Sequence, residues 1–158
     1  MNLEMLKTTA WVNLFGLLKI PLILFISPRV IRLDEKVCEI KVPLNYRTKN
    51  HLGSMYFGAL AIGADLSGAL IGMREIQKSK KKVSLVFKDM RGSFLKRATE
   101  DIIFYCDQVA EVKNLVAEAI EKKERVEMEI PITAKMAKSG DLVAEFVLTL
   151  SLKSRERS

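Results

Sequence analysis

The chain has 158 residues and a mass of 17.9 kDa, the span of one domain rather than of separate cofactor and substrate domains. Hydrophobic residues make up 49% and charged residues 28%, which excludes wholesale disorder and allows a buried core. Two cysteines with no CxxC and one histidine exclude a disulfide scaffold, a His-rich metal site and a two-histidine relay. Cys38 and Cys106 both sit in apolar-alternating stretches, so they read as reduced, packed thiols of a cytoplasmic protein, with no metal held. The net charge is +7. Its basic residues fall in short clusters (Lys78 with Lys80, Lys81 and Lys82; Lys96 and Arg97; Lys122, Lys123 and Arg125). No zinc finger, RNP-like aromatic pattern or basic helix accompanies them, so nucleic acid is not expected. They read as solvated loops and strand ends, or as an attraction for an anionic small molecule or acidic lipid headgroups.

The N-terminal stretch from Thr9 to Ser27 is the strongest membrane signal. Asn13, Gly16, Lys19 and Pro21 interrupt it, and Pro21 ends or kinks a helix near Ile20. Leu3, Leu6, Ala10, Leu14 and Leu17 recur at helical spacing, so residues 3–18 are expected to form an amphipathic helix. Residues 20–27 follow as a separate apolar segment. Residues 1–28 thus read as an arm that covers a groove or a partner, with a weak contact to a membrane surface as a second reading.

From Arg29 to Leu44 the pattern fits two short strands or one bent strand; Cys38, Ile40, Val42 and Leu44 alternate with polar residues. Residues 55–73 are almost uncharged and hold Gly58, Gly63, Gly68 and Gly72. Four glycines disfavour a helix by roughly 1 kcal/mol each relative to Ala. Close burial is the compensation, which makes this the central helix, with Ser54 as its expected N-cap. The second half reads as four strands, around Val83–Phe87, Ile102–Cys106, Val126–Ile132 and Leu142–Leu152, with a short surface helix near 109–120. Turn signals lie at Asp89–Gly92 and Ser139–Asp141. The domain proper spans 29–153, and 154–158 form a frayed tail. Helix, strands, long buried helix and further strands make an α+β domain in which an antiparallel sheet wraps one helix and leaves an edge for a partner.

Chemistry centres on Asn50 to Gly58 and on Asp65. Asp65 is the only charged residue between Lys49 and Arg74, and it stands on a stripe with Gly58, Ala61, Ile62 and Ala69. A carboxylate there is paired, hydrated or in use; if desolvated, it becomes a candidate general base. The helix N-terminus supplies unpaired amides, Gly58 allows close approach, and Asn50 offers a donor and an acceptor. That set suits acyl-transfer hydrolysis. The alternatives are a structural carboxylate at a dimer contact and an asparagine that shapes a turn.

Asn50, Gly53, Gly58 and Asp65 resemble the motif of the hotdog-fold acyl-CoA thioesterase superfamily, in particular its phenylacetyl-CoA thioesterase type. That motif places an acidic residue fifteen positions after an asparagine (65 − 50 = 15). Tyr56 stands where those proteins carry histidine and Phe57 where they carry the first glycine; His51 is only a neighbour of Asn50. The resemblance covers roughly residues 29–153. It implies a homodimer or dimer of dimers, with sheets joined edge to edge and the acyl group between protomers. Asp65 is then the base or nucleophile, and Asn50 orients the water or carbonyl. The amides of Phe57 and Gly58 polarise the thioester oxygen, and Tyr56 either donates a hydrogen bond or lines the pocket. The implied substrate is a medium- or long-chain or aryl thioester of coenzyme A or acyl carrier protein, with no further cofactor. Lys80, Lys81 and Lys82 are candidates for the phosphates of CoA. A non-catalytic acyl or lipid binder, or a membrane-peripheral protein anchored by the arm, are the competing readings.

Overall fold

A computed structural model describes residues 3–155. Helix α1 spans Leu3–Lys19 and the short α2 spans Pro21–Phe25. Strands β1 (Arg29–Leu33) and β2 (Cys38–Val42) follow, then the long helix α3 (Phe57–Ser79). Strand β3 (Val83–Phe94), β4 (Ile102–Cys106), α4 (Val109–Lys122), β5 (Arg125–Met136) and β6 (Leu142–Ser154) complete the chain. The six strands form one sheet in the order β1-β2-β4-β5-β6-β3. Every neighbouring pair is antiparallel.

The sheet wraps α3, as the glycine content requires. A Cβ on Gly63 would overlap the ring of Phe104 on β4, and one on Gly72 would overlap the Leu85 side chain on β3. Glycine at Gly63 brings the helix backbone closer to β4 than a side chain would permit without displacing the Phe104 ring, and the gain in packing offsets the lost helix propensity. Ala59, Ala64, Leu66, Leu70 and Ile71 are buried on the same helix. By length and composition α3 could cross a bilayer, but 56% of its most apolar window is buried within the fold, which marks a core helix. Helix α4 buries Val109, Val112, Leu115, Val116 and Ala119 and exposes its charges.

Cys38 and Cys106 face each other in register on β2 and β4, both buried and both free. Burial in apolar surroundings raises both thiols, Cys106 to about 11.

The two borders of the sheet differ. At β1 the arm closes the edge: the Val30 N–H donates to Thr9 Oγ1 at 2.9 Å, and Asn13 Nδ2 donates to the Pro28 carbonyl at 3.4 Å. At β3 no strand lies beyond among the described residues, and Val86, Met90 and Phe94 are exposed along it.

Two expectations need correction. Asp89–Gly92 is not a turn: β3 pairs with β6 from Val83 to Phe94, with a register shift between Phe87 and Asp89. At Gly92 the missing Cβ leaves room for the Phe146 ring, which lies 3.0 Å from where that atom would be. Ser54 does not cap α3. The N-cap is Tyr56, with no side-chain cap, and Ser54 is buried in the preceding loop. Helix α1 forms as expected, and its leucine stripe faces outward. Met5, Val12 and Gly16 are buried, whereas Leu3, Leu6, Ala10, Leu14 and Leu17 are exposed. The packed face is selected by α2, which folds back so that the Leu24 backbone nitrogen lies 2.8 Å from the position a Gly16 Cβ would take. The β6 strand runs through Ser154, which is buried; residues 156–158 of the expected tail lie outside the described residues.

Candidate active site

The loop between β2 and α3 is built around two side chains. Thr48 is fully buried. Its Oγ1 accepts from the Asn45 N–H at 2.9 Å and donates to the Pro43 carbonyl at 2.7 Å, while its carbonyl accepts from the Tyr56 N–H at 2.8 Å. Asn50 shapes the next turn. Its Oδ1 accepts from the N–H groups of Leu52 (2.9 Å) and Ser54 (3.2 Å), and Nδ2 donates to Ser54 Oγ at 3.1 Å. One Nδ2 hydrogen is left without an acceptor among the described residues. Gly53 takes φ +76°, the conformation this tight turn requires. From β3 and its exit, the Ala98 carbonyl accepts the Met55 N–H at 2.8 Å, and Arg97 donates to the Leu52 carbonyl at 2.7 Å.

This loop delivers the chain to the start of α3. The Ala59 and Leu60 amides bond to the Tyr56 carbonyl. Among the described residues the amides of Phe57 and Gly58 have no acceptor, so they are the free donors of the helix end. The Tyr56 ring folds over Gly58, its Cε1 2.5 Å from where a Cβ would stand. Tyr56 and Phe57 contact each other at 4.7 Å between ring centroids, and Phe57 meets Phe94 at 6.2 Å. An open pocket of about 540 Å³ lies here, lined by Asn50, His51, Tyr56, Phe57, Phe94 and Lys96 among others.

Asp65 lies elsewhere along the same helix. It lines a cavity of about 530 Å³ between the arm, α3 and β3, with Trp11, Phe15, Ile23, Leu66, Met73 and Phe87 among its walls. No described group donates a hydrogen bond to the Asp65 carboxylate or pairs with it. Burial pushes its pKa above the ordinary carboxylate value, because an ionised group is poorly solvated among apolar side chains. It is a carboxylate set against an apolar cavity.

Within one chain, then, Asn50, His51, Tyr56 and Phe57 are brought together at one pocket, and Asp65 lies at another. Seven residues separate Gly58 from Asp65, about 10 Å of helix rise. Lys80, Lys81 and Lys82 lie exposed in the loop after α3 and line neither cavity. Among the described residues no cluster of His, Cys, Asp or Glu could hold a metal ion. Sequence reasoning missed Trp11, Phe15, Met73 and Phe87 as cavity walls, and Thr48 and Arg97 as supports of the loop. Trp11 and Phe15 carry a signal in hindsight: they lie between the two apolar sides of α1.

A sheet curled around one long helix, with the loop before the helix at its open end, defines the hotdog fold. Residues 8–152 match the family described as a domain of unknown function, DUF4442, and the chain belongs to that family. Solved structures share the fold. A Pseudomonas aeruginosa protein of unknown function, named a probable thioesterase, is 24% identical, with 93% of this chain and 96% of that one aligned at a TM-score of 0.77. A Haemophilus influenzae thioesterase is 13% identical, covering 91% and 90% of the two chains at a TM-score of 0.65. A Chlorobaculum tepidum protein of unknown function is 12% identical, covering 94% and 96% at 0.80. No curated protein matches the chain at a significant level.

Proposed function

We propose that this protein is a thioester hydrolase acting on acyl groups carried by coenzyme A or acyl carrier protein, and that it works as a homodimer. The observation that carries the reading is Asp65: an unpaired carboxylate, its pKa raised by burial, on the wall of an apolar cavity. A raised pKa makes the carboxylate a stronger base toward water. The names of several proteins that share the fold support the reaction class.

The spacing on α3 argues for two chains. Amides about 10 Å along the helix from Asp65 cannot touch the same thioester as that Asp65. A second copy, paired through the open β3 edge with its helix antiparallel, sets the amides of one chain against the carboxylate of the other. In that arrangement Asp65 takes a proton from water, and the water oxygen attacks the thioester carbon. The Phe57 and Gly58 amides of the facing protomer hold the developing oxyanion. The tetrahedral intermediate expels the thiolate, which recovers the proton from Asp65. Asn50 is a positioning residue for the loop, and its spare Nδ2 hydrogen is available to the substrate carbonyl. The cavity walls suit an aliphatic or aryl acyl group.

Steady-state hydrolysis of a panel of acyl-CoA substrates tests the reading. The wild type should turn over, and Asp65→Asn should lose activity by a factor of about 100 or more. Equal rates would remove Asp65 as the base. A second reading, a non-catalytic acyl binder, draws on the crowding of the helix end by Tyr56 and Phe57; it predicts acyl-CoA binding without turnover by either protein.

A further inference from the structure

Helix α1 is apolar on two opposite sides. Met5, Val12 and Gly16 pack inward. On the other side Leu3, Leu6, Ala10, Leu14 and Leu17 form a stripe facing outward, and α2 continues the apolar surface with Leu22 and Phe25. Leu14, Leu17, Leu18 and Leu22 are 53%, 59%, 67% and 61% exposed. An exposed run of large leucines is expected where a partner covers it.

The charges around this surface say what the partner is. Residues 1–36 hold Lys7, Lys19, Arg29, Arg32 and Lys36 against Glu4, Asp34 and Glu35, and Arg32 is paired with Asp34. Lys7 stands four residues after Leu3 and seven before Leu14, so it edges the stripe. Among the described residues Lys7, Lys19 and Arg29 form no ion pair. Beyond the end of α2, Arg47 lies 5.8 Å from the ring centroids of both Phe25 and Tyr46, and Tyr46 is exposed. Leucines at the centre, long basic side chains at the rim and aromatic rings beside them are the composition that sits in a lipid headgroup layer. A second copy on this face would set Lys7, Lys19 and Arg29, none of them in an ion pair among the described residues, against their own equivalents. An anionic bilayer offsets them directly.

We propose that the outward face of the arm docks on an anionic membrane surface. The leucines enter the headgroup–acyl boundary, and the exposed Lys7, Lys19 and Arg29 meet lipid phosphates. Each such basic residue strengthens attachment roughly fivefold at low salt. Trp11 and Phe15, between the two apolar sides of α1, line the Asp65 cavity, so docking also brings that cavity close to the bilayer.

The test is flotation of the full chain with phosphatidylcholine vesicles and with vesicles containing about a third phosphatidylglycerol. Attachment is expected to the anionic vesicles, to weaken in 0.5 M salt, and to fall at least tenfold in Leu14→Glu/Leu17→Glu. Lys7→Glu/Lys19→Glu, which alters only exposed side chains, should lower it as well, and thermal melts confirm that both variants fold. Absence of flotation with anionic vesicles, or flotation that neither variant changes, overturns the proposal. So does a wild-type assembly that loses subunits in Leu14→Glu/Leu17→Glu on sizing with light scattering, since the face would then belong to a second copy. Flotation is read without turnover, so a failure here leaves the hydrolase reading standing, and loss of that reading leaves this one standing.

Discussion

Helices α1 and α3 are both apolar and differ by only six residues in length, 17 against 23, yet the fold uses them in opposite ways. The sheet closes on α3 and buries eleven of its residues; α1 lies on the surface and buries three. Size of side chain, not hydrophobicity, separates them. Helix α3 carries glycine, alanine and serine where the sheet comes closest, so strands approach its backbone. Helix α1 carries leucine on one whole side, and nothing among the described residues comes to meet it. A run of large apolar residues states that burial is wanted; small ones allow the backbone to be reached.

That contrast can be broken or sharpened by substitution. The largest effect is expected at the one charge on the crowded stretch of α3. Asp65→Asn should lower hydrolysis by about 100-fold or more while raising the melting temperature at neutral pH. The sign follows from the raised pKa. The folded state binds the Asp65 proton more tightly than the unfolded chain does. The fold is therefore favoured at acid pH and loses that advantage as pH rises from the ordinary carboxylate value through the raised one. The gap between variant and wild type should widen over that window and then stay constant, as denaturant titrations at several pH values would show. Activity that depends on the ionised form should rise through the same window.

Next in size is Gly63→Val, which drives a branched side chain into the Phe104 ring. A loss of about 3 kcal/mol is expected, or failure to fold; Phe104→Leu in the same chain should restore part of it. Urea midpoints measure both. Thr48→Val leaves the shape of the loop but removes its two hydroxyl bonds, and should cost about 1–2 kcal/mol. The smallest effect is expected on α1: Leu14→Glu should change stability by less than about 0.5 kcal/mol. A large loss there would mean that the outward face is covered in the native assembly, and the contrast between the helices would fail.

Most of the fold was legible from periodicity. The β2 alternation around Cys38 and Ile40, the α4 face and the long β6 run all formed where their patterns placed them. The glycine-rich helix was legible because its poor propensity demanded a compensation. What failed to show was decided by tertiary neighbours. Asp89–Gly92 has the composition of a turn, yet these residues run along an edge strand, where polar side chains meet solvent and Gly92 makes room for Phe146. Ser54 has the chemistry of a cap, but Asn50 holds it two residues before the helix cap at Tyr56. Of the site, Asp65 and Asn50 could be named in advance because each is an isolated polar group in an apolar or turn-rich context. That one chain places them at separate pockets could not be read from spacing, since it depends on where the arm and β3 come to lie.

The hydroxyl of Thr9 also has a consequence for how the molecule grows. By taking the Val30 N–H, it stoppers one border of the sheet. A strand stack that can be extended on a single side accepts one neighbour and then has nothing left to offer, because the newcomer arrives with its own stopper at the far end. If two copies pair through β3 as proposed, addition halts at that pair, and the β3 edge is kept from seeding a filament.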